Sequence, residues 1–543
     1  MIATAYKHST LASEYDAIVI GSGIGGLSVA ALLAKHAAQR VLVLERHYTA
    51  GGFTHVFARP GFEWDVGVHY VGRVADSRSR ERAAFDHVTE GRLRWQALPE
   101  IFDRIRIGEL HFDVAAGTER YRDDLRRQFP AERKAIDGYL GAVHAVARAS
   151  ALFWAEKVVP AAIEKLAGSA MRGPFLRYAR RTTADVLSDF TTNRELRAIL
   201  TAQWGNYGLA PGRSSFAMHA IIAHHYLEGA AYPAGGAASI AAAIAPAIER
   251  AGGAIVVAAE VAEILIERDR AVGVRIADGR EIRAQTVISD AGAAATFGSL
   301  IAPAAASRLR TTRLLQTLEP SMAHLCLYVG MTGPACGGDV AASNLWIHPG
   351  LDFDANVARS AADPEAAFPL LFISYPSAKD PTFAARFPDR ATAEIVVPAP
   401  FGWFEPWANS HWKRRGASYD AFKARLTERL LGEFALAAPE ASRRVAYAEL
   451  STPLSTRHFA NAARGATYGT SATPARFLSR TIGPRTPIRG LFLTGTDACS
   501  EGVTGALFGG ILAASAILGR NLLGEMNRPA NARAAARTRR PPR

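Results

Sequence analysis

Stretches of apolar and polar residues divide the start of the chain into three short elements. Residues 15–20 form an apolar run of β-forming side chains, residues 24–36 suit a helix, and residues 41–44 form a second apolar run. Short apolar runs on either side of a helix are typical of buried parallel strands. The pattern therefore predicts a strand–helix–strand unit.

The turn between the first strand and the helix carries the motif G-x-G-x-x-G at Gly21, Gly23 and Gly26. Gly21 allows the tight turn, Gly23 lets the backbone approach a diphosphate, and Gly26 lets the helix pack closely on the strand. The helix then directs its unpaired N–H groups at that diphosphate. An ordinary glycine turn that binds nothing is the alternative, but the strand and helix around the motif favour dinucleotide binding.

The end of the second strand indicates which dinucleotide is bound. Glu45 lies nineteen residues after Gly26, where its carboxylate can accept hydrogen bonds from both hydroxyls of an adenosine ribose. Five residues later come Gly51 and Gly52, and the spacing E-x5-GG resembles the extended fingerprint of FAD-binding oxidoreductases. We therefore predict tightly held FAD. The predicted contacts in this part of the chain also include Gly25 and Arg46.

The chain then leaves this domain twice and returns to it twice. In the first segment outside the domain, residues 76–229, the sequence predicts helices at 131–146 and 187–200. In the second, residues 301–484, it predicts strands at 322–330, 369–374 and 394–398. Between them, residues 237–251 predict a helix, and strands are predicted at 255–257, 261–267, 271–276, 281–282 and 287–290. The backbone of Val261 is expected to touch the adenine of FAD.

A second glycine turn returns the chain to the cofactor domain for the last time. Residues 491–494 predict a buried strand, which Gly495 and Asp497 follow, and a helix is predicted to begin near Thr504. Asp497 can bond the ribityl or diphosphate region. The helix N-terminus, with Val503, Thr504 and Ala506, can stabilise negative charge at flavin N1 and O2.

This order of elements predicts an α/β fold with a glutathione-reductase-like FAD-binding domain of Rossmann type and an inserted α+β substrate domain. The FAD-binding domain is predicted to comprise residues 1–75, 230–300 and 485–520, and the substrate domain residues 76–229 and 301–484. Residues 521–543 are predicted to form a basic, disordered tail. The aromatic residues at 401–412 suit a core, or the wall of a pocket for a long apolar molecule.

Composition narrows the functional classes. The 543 residues are 49% hydrophobic and 21% charged, with a net charge of +13, which describes a globular chain too long for one core. Cys326, Cys336 and Cys499 lack the spacing of a metal site or of a disulfide framework. No metal is therefore expected, and a reducing compartment fits. No interleaving of aromatic and basic residues supports a nucleic-acid partner.

Several stretches bear on membrane contact. Residues 229–248 and 502–519 carry no charge, but their Gly and Ala content predicts buried helices rather than membrane spans. Residues 152–181 mix apolar side chains with lysines and arginines, which suits a membrane interface and equally suits core-facing helices with a solvated basic face. No secretory signal precedes the first strand. The predicted location is cytoplasmic, with peripheral contact at the cytoplasmic membrane face left open.

At this point the motifs resemble a known family. YDAIVIGSGIGGL, AGGFTHVF, FEWDVGVHYVGR, FAMHA, YPAGG, FISYPSAKDPTF, RGATYG and LTGTD followed by GVTGAL are similar to motifs of the all-trans-retinol 13,14-reductase (retinol saturase) family. That family lies within the phytoene desaturase and carotenoid isomerase superfamily of flavoproteins. The resemblance covers residues 15–521, and DVGVHYVGR and YPSAKDPT are its most specific motifs.

The resemblance implies FAD and two-electron chemistry on one carbon–carbon double bond of a lipophilic polyene. The substrate is expected to be a retinoid, a carotenoid or a fatty acid, and a separate electron donor is expected because no second complete G-x-G-x-x-G unit is present. The motifs place four candidate proton donors near the flavin: Tyr70, Glu501, His69 and Tyr468. Desaturation, cis–trans isomerisation, amine oxidation and a lipid-binding flavoprotein without catalysis remain alternatives.

Overall fold

The computed structural model describes residues 2–526, which contain twenty β-strands and twenty-one α-helices. The strands in chain order are β1 (Thr4–Ala5), β2 (Glu14–Ile20), β3 (Val41–Leu44), β4 (Val56–Arg59), β5 (Phe62–Asp65), β6 (Val71–Gly72), β7 (Trp95–Ala97), β8 (Ile101–Ile107), β9 (Leu110–Ala115), β10 (Ala230–Pro233), β11 (Ala254–Val257), β12 (Val261–Glu267), β13 (Arg270–Ile276), β14 (Glu281–Ser289), β15 (His324–Thr332), β16 (Asn344–His348), β17 (Leu371–Ser374), β18 (Arg390–Pro398), β19 (Val445–Ser451) and β20 (Leu491–Leu493).

The helices surround and connect these strands. In chain order they are α1 (Ile24–Ala37), α2 (Arg80–Thr89), α3 (Thr118–Gln128), α4 (Arg133–Glu156), α5 (Ala161–Ala179), α6 (Thr183–Ser188), α7 (Arg194–Thr201), α8 (Phe216–Tyr226), α9 (Ala238–Arg250), α10 (Ala293–Ala295), α11 (Pro303–Ala306), α12 (Arg310–Leu315), α13 (Phe353–Ala362), α14 (Pro376–Lys379), α15 (Phe383–Arg386), α16 (Ala417–Ala437), α17 (Pro439–Ser442), α18 (Pro453–Ala460), α19 (Pro474–Leu478), α20 (Gly502–Leu518) and α21 (Leu522–Met526).

An eight-stranded sheet forms the centre of the region for which cofactor binding is predicted, in the order β1-β11-β3-β2-β14-β13-β12, with β20 paired to β14. Its central strands run parallel. The helices α1, α9 and α20 cover one face with a continuous apolar cluster. Because both faces are buried, β3 is apolar at every position. The predicted α/β fold class is confirmed.

The sequence prediction for the region of β14 was wrong about the number of strands. Two strands were expected, at 281–282 and 287–290, whereas the structure has one strand of nine residues. Its first residues pair with β13 and its last residues pair with β20, while β2 runs along its other edge. The polar residues in the middle of the strand mark this change of neighbour, and they conceal its continuity in the sequence.

A seven-stranded sheet, in the order β19-β15-β18-β17-β16-β8-β9, forms the second layer. The strands predicted near residues 322, 369 and 394 are β15, β17 and β18. The prediction of helices alone within residues 76–229 was incomplete, because β8 and β9 come from that segment. The strand β8 pairs with β16, and β9 pairs with β8 at the edge of this sheet. The alternation of apolar and charged residues in β8 was the signal that should have revealed it.

Two helix predictions also need correction. The helix expected at 131–146 continues to Glu156. The helix expected at 187–200 is two helices, α6 and α7, because the chain turns after Ser188 and restarts at Asn193. The side chain of Asn193 accepts a hydrogen bond of 3.0 Å from the backbone N–H of Leu196, which is the bond that N-capping side chains make.

Removing this N-cap is expected to weaken the helical region measurably. Asn193→Ala should lower the free energy of unfolding by about 1 kcal/mol, because the N–H of Leu196 loses its acceptor. Asn193→Ser keeps an acceptor oxygen and should stay close to the unmodified protein. Urea denaturation of the three proteins measures the difference. Equal stability of the alanine and serine variants would contradict this role.

The helices α4 and α5 account for the mixed segment at 152–181. Phe153 and Trp154 are buried in a core cluster, whereas Leu152, Ile163 and Leu166 are exposed, Leu166 by 89%. No helix within residues 2–526 has the length and apolar character needed to cross a bilayer. In the predicted tail, residues 522–526 form the short helix α21, and its remaining residues lie outside the described part of the chain.

Candidate functional site

The carboxyl ends of β2, β3, β14 and β20 meet the N-terminus of α1 at one large cavity. Its volume is about 930 Å³. Eleven of the predicted cofactor contacts line it: Gly21, Gly23, Gly25, Glu45, Arg46, Gly52, Val261, Gly495, Asp497, Val503 and Ala506. The structure therefore brings together residues that are spread over almost the entire described chain.

The glycine loop and the second glycine turn are in close contact. A Cβ atom at Gly25 would lie 2.6 Å from the backbone nitrogen of Gly495 and 2.7 Å from a carboxyl oxygen of Asp290. A Cβ atom at Gly26 would collide with the backbone oxygen of Gly21. Backbone this tightly packed leaves no room for side chains on these glycines, an arrangement that suits close approach of a dinucleotide diphosphate.

Glu45 anchors the glycine loop from the end of β3. Its Oε2 accepts hydrogen bonds from the backbone N–H (2.9 Å) and the hydroxyl (2.7 Å) of Ser22, and its Oε1 accepts one of 2.8 Å from the backbone N–H of His47. The Ser22 hydroxyl in turn accepts a bond from the N–H of Gly51. Both carboxyl oxygens of Glu45 therefore have protein donors, and the residue also lines the cavity. The contact with the ribose stays a prediction.

Asp290 is a site residue that sequence reasoning did not identify. It follows β14 directly and lines the cavity, and the backbone N–H groups of Gly26 and Gly23 point to its carboxyl group. Burial raises the pKa of Asp290 to about 8, which keeps it neutral at pH 7 and limits its repulsion of a diphosphate. Its position at the carboxyl end of a central parallel strand was the available signal.

Asp497 connects two loops of the cavity wall. Its Oδ2 accepts a hydrogen bond of 2.7 Å from the N–H of Ala293, and its Oδ1 accepts one of 2.9 Å from the N–H of Thr470. Both carboxylate oxygens therefore already have a backbone donor. The structure assigns Asp497 a role in joining these loops, and the predicted cofactor contact stays a prediction.

Three predicted contacts lie outside the cavity lining. Gly26 packs against the turn, Gly51 bonds to Ser22, and Thr504 lines a neighbouring cavity. Arg46 lines the first cavity but donates a hydrogen bond of 2.8 Å to the backbone oxygen of His458.

The far side of the first cavity is apolar and aromatic. Its lining includes Trp204, Met322, Trp346, Leu370, Phe372 and Val396. Of the aromatic residues at 401–412, Phe401, Trp403 and Phe404 are core residues, while Trp412 lines the cavity and is 42% exposed. The core interpretation is therefore confirmed for three members, and Trp412 lies in a cavity wall, where the predicted contact with an apolar molecule stays a prediction.

A second cavity, also about 930 Å³, lies between α4, α8 and α20. The two cavities share six lining residues: Gly67, His69, Asn206, Tyr468, Gly502 and Val503. The N-terminus of α20 therefore faces both spaces.

The four predicted proton donors lie around this boundary but differ in accessibility. His69 and Tyr468 line both cavities, whereas Tyr70 and Glu501 line only the second. The Tyr70 hydroxyl donates a hydrogen bond of 2.9 Å to Asp103. The Tyr468 hydroxyl donates one of 3.2 Å to the backbone oxygen of Gly205.

Glu501 is the N-cap residue of α20 and is fully buried in an ion pair with Arg476. Burial raises the pKa of Glu501 and, to a greater extent, the pKa of Tyr70. Burial lowers the pKa of His69 to about 3, and the charge on Lys379 adds to this effect. His69 is therefore a neutral imidazole at the cavity boundary, and Tyr70 keeps its phenolic proton.

Comparison with curated proteins identifies relatives along almost the whole chain. An all-trans-retinol 13,14-reductase of Danio rerio is 37% identical over 95% of this chain and 88% of its own length. The human protein with the same name is 34% identical over 96% of this chain and 88% of its own. A chloroplastic prolycopene isomerase of Arabidopsis thaliana is 26% identical over 92% and 82% of the two chains.

Family models and solved structures support the same fold. The model of an NAD(P)-binding Rossmann-like domain matches residues 19–85. A cyclohexylamine oxidase from Brevibacterium oxydans has a TM-score of 0.58 at 16% identity, covering 95% of this chain and 100% of that one. An oxidoreductase from Methanosarcina mazei has a TM-score of 0.58 at 17% identity, covering 93% and 100%. At this identity the structural likeness concerns the fold alone.

Proposed function

The chain belongs to the all-trans-retinol 13,14-reductase family, and we propose that it is an FAD-dependent oxidoreductase that reduces one carbon–carbon double bond of a lipophilic polyene. Retinol, reduced at its 13,14 bond, is the substrate that the names of the relatives indicate. Carotenoids and unsaturated fatty acids are the alternative substrates.

One observation carries this proposal. The glycine loops, the N-terminus of α20 and a set of large apolar side chains all line one cavity. A cofactor held by the loops would therefore share its space with an apolar ligand. Small-molecule sites commonly combine an apolar wall with a few polar groups that fix orientation.

The residues present fit FAD as follows. The loop with Gly21, Gly23 and Gly25 would hold the diphosphate at the N-terminus of α1, with Gly26 and Gly51 supporting the loop from behind. Glu45 and Arg46 would face the ribose, and the backbone of Val261 the adenine. The remaining predicted contacts, which would face the ribityl chain and the flavin ring, are Gly52, Gly495, Asp497, Val503, Thr504 and Ala506.

Bound and reduced flavin would supply a hydride. The side chains of this protein would orient the alkene in the apolar part of the cavity and exclude water from it, and such positioning contributes much of a rate enhancement. A proton must reach the second alkene carbon. Of the four candidate donors, His69 and Tyr468 line the cavity that contains the apolar wall.

The reductase function predicts the mass of the product. The purified FAD-loaded protein, reduced anaerobically and incubated with all-trans-retinol, should yield a product two hydrogens heavier than the substrate, as determined by mass spectrometry. A carotenoid and an unsaturated fatty acid tested in parallel define the substrate class, and oxidised protein without reductant is the control.

Other outcomes would identify other functions. A product of unchanged mass would favour isomerisation, the activity in the name of the Arabidopsis relative. A loss of two hydrogens would indicate desaturation. Binding without conversion of any polyene would support a lipid-binding flavoprotein and contradict the reductase function.

We also propose a separate electron donor. The chain has one complete G-x-G-x-x-G unit, and FAD would occupy it. Peripheral membrane contact through the exposed apolar residues of α4 and α5 belongs to the same proposal, because a lipophilic substrate partitions into membranes.

A further inference from the structure

His69 separates the two cavities and is backed by buried ionisable groups. Its side chain is 19% exposed, and its ring lies edge-on to Phe372 at 5.1 Å. Its Nδ1 is 2.8 Å from Oε2 of Glu394, whose side chain is fully buried. Because Nδ1 faces this carboxyl group and the ring lines both cavities, Nε2 is the nitrogen on the cavity side.

The contact between His69 and Glu394 requires a proton. Oε1 of Glu394 accepts a hydrogen bond of 2.8 Å from the backbone N–H of Asp65. Oε2 of Glu394 and Nδ1 of His69 have no hydrogen-bond partner among the described residues, because their 2.8 Å contact does not meet hydrogen-bond geometry. Two acceptors without a proton would repel each other at 2.8 Å, so one proton lies between them.

Two neighbouring carboxyl groups are better supplied with donors. Asp103 accepts hydrogen bonds from three side chains, those of Tyr70, Asn344 and Gln203. Asp65 accepts bonds from the Tyr232 hydroxyl and from the backbone N–H of Ala237. Burial raises the pKa of Asp65 to about 7 and that of Asp103 to about 6, and these hydrogen bonds oppose the rise in both. Glu394, in contrast, has a single backbone donor.

Lys379 is the cation of this cluster. It is 2% exposed, and its Nζ donates to the backbone oxygen of His69 (2.9 Å), to Ser374 Oγ (2.7 Å) and to Asn344. One ammonium group cannot balance three buried carboxylates, so the cluster retains a proton. Burial raises the pKa of Glu394 well above its usual range and lowers that of His69, which places this proton on Glu394.

We infer that Glu394 and His69 form a proton relay, in which His69 protonates the alkene carbon that does not receive the hydride and Glu394 replaces the proton that His69 gives up. This inference rests on the proposed reductase function. Among the candidate donors, His69 is distinguished by a buried second group that can resupply its proton directly.

The relay step balances in atoms and electrons. The Nε2–H bond of His69 breaks as a C–H bond forms at one alkene carbon, and bound, reduced FAD would supply the hydride for the C–H bond at the other carbon. The Oε2–H proton of Glu394 moves to Nδ1, so the imidazole ends neutral in its other tautomer. Glu394 ends as a carboxylate near the positive charge of Lys379, until solvent restores its proton.

The decisive variant is Glu394→Gln, because an amide can still accept the bond from Asp65 and can donate one to Nδ1 but cannot transfer a proton. In the FAD-loaded protein, kcat for polyene reduction should fall about 100-fold with an unchanged KM and an unchanged flavin spectrum. The matched control is Glu156→Gln. Glu156 is also buried and ion-paired, to Arg172 at 2.9 Å, and its substitution should leave kcat unchanged.

A second readout does not depend on turnover. Infrared difference spectra of the holoenzyme in H₂O and D₂O should contain the C=O band of a protonated carboxyl group that Glu394→Gln loses and Glu156→Gln keeps. As a second variant, His69→Ala should lose activity and regain part of it with millimolar imidazole, which can enter the cavity.

An unchanged kcat in Glu394→Gln, the same infrared band in that variant, or the absence of imidazole rescue would overturn the relay. These results differ from a failure of the reductase function, which would appear as a wild-type holoenzyme that hydrogenates no polyene.

Discussion

Replacing Gly25 with valine is expected to abolish the binding of FAD. Gly25 lies in the first turn of α1, where even a Cβ atom would come within 2.6 Å of the Gly495 backbone and 2.7 Å of Asp290. A valine side chain would therefore push the first glycine loop away from the second glycine turn. Both loops line the cofactor cavity, so the variant would lose the geometry of its diphosphate site.

Visible absorbance of the purified protein measures whether FAD is bound. Wild-type protein purified with added FAD should show flavin absorbance in the visible range, and Gly25→Val should be colourless and should not respond to FAD titration. Gly432→Ala is the matched control, because a Cβ atom at this glycine of α16 meets nothing within 4 Å. Far-UV circular dichroism should confirm that both variants are folded. A folded Gly25→Val variant that binds FAD normally would refute the proposed cofactor site.

Replacing Arg476 with methionine is expected to produce the largest loss of stability. Arg476 and Glu501 form a buried ion pair, with side chains 4% and 0% exposed. The same guanidinium donates hydrogen bonds to the backbone oxygens of Thr470 (2.7 Å) and Thr496 (2.8 Å). Methionine would leave Glu501 and both carbonyl groups without these donors, and breaking a buried pair in this way costs about 3–5 kcal/mol.

Urea denaturation of the holoenzyme tests this expectation, and a nearby arginine provides the control. Arg480 is 54% exposed and pairs with Glu164 at the surface, so Arg480→Met should cost less than about 1 kcal/mol. The double variant R476M/E501L should recover part of the stability lost in Arg476→Met, because it removes the unpaired carboxyl group as well. A loss below about 1 kcal/mol for Arg476→Met would show that the pair does not stabilise the fold.

The cofactor half of the fold could be predicted because its signals are local. The strand β3 and the strand β12 have the predicted bounds, and α1 differs from the prediction by one residue. A glycine motif, a short apolar run and an acidic residue at its end lie within a few dozen residues of one another. Such signals can be recognised in the sequence without knowledge of the tertiary structure.

The inner wall of the candidate site could not be predicted in the same way. Glu394 reaches His69 and Asp65 across more than 300 positions of sequence, and Lys379 and Asp103 come from two other elements. No spacing rule connects these residues. The seven-stranded sheet brings Asp103 on β8 and Glu394 on β18 together, and α14 and β5 pack against β18. The proton donors proposed from motifs therefore included His69 but not the group behind it.

Large separation in sequence also explains the errors in the predicted secondary structure. The strand β8 has the alternation of a strand, yet it lies in a segment dominated by helical patterns and finds its parallel partner, β16, more than 200 residues later. The division of β14 into two predicted strands has a related cause, since β20 supplies the neighbour of its second half. At both places the partner strand lies far away in the sequence, where a local pattern cannot indicate it.

The construction of the first sheet from distant segments has a consequence for biosynthesis. The ribosome synthesises the loop at Gly21 early, but β20 and α20, which complete the same cavity and cover α1, emerge only after residue 490. During this interval the apolar faces of α1 and α9 lack their final cover, which makes the nascent polypeptide a client for chaperones. The complete cavity can accordingly form only after α20 has been translated.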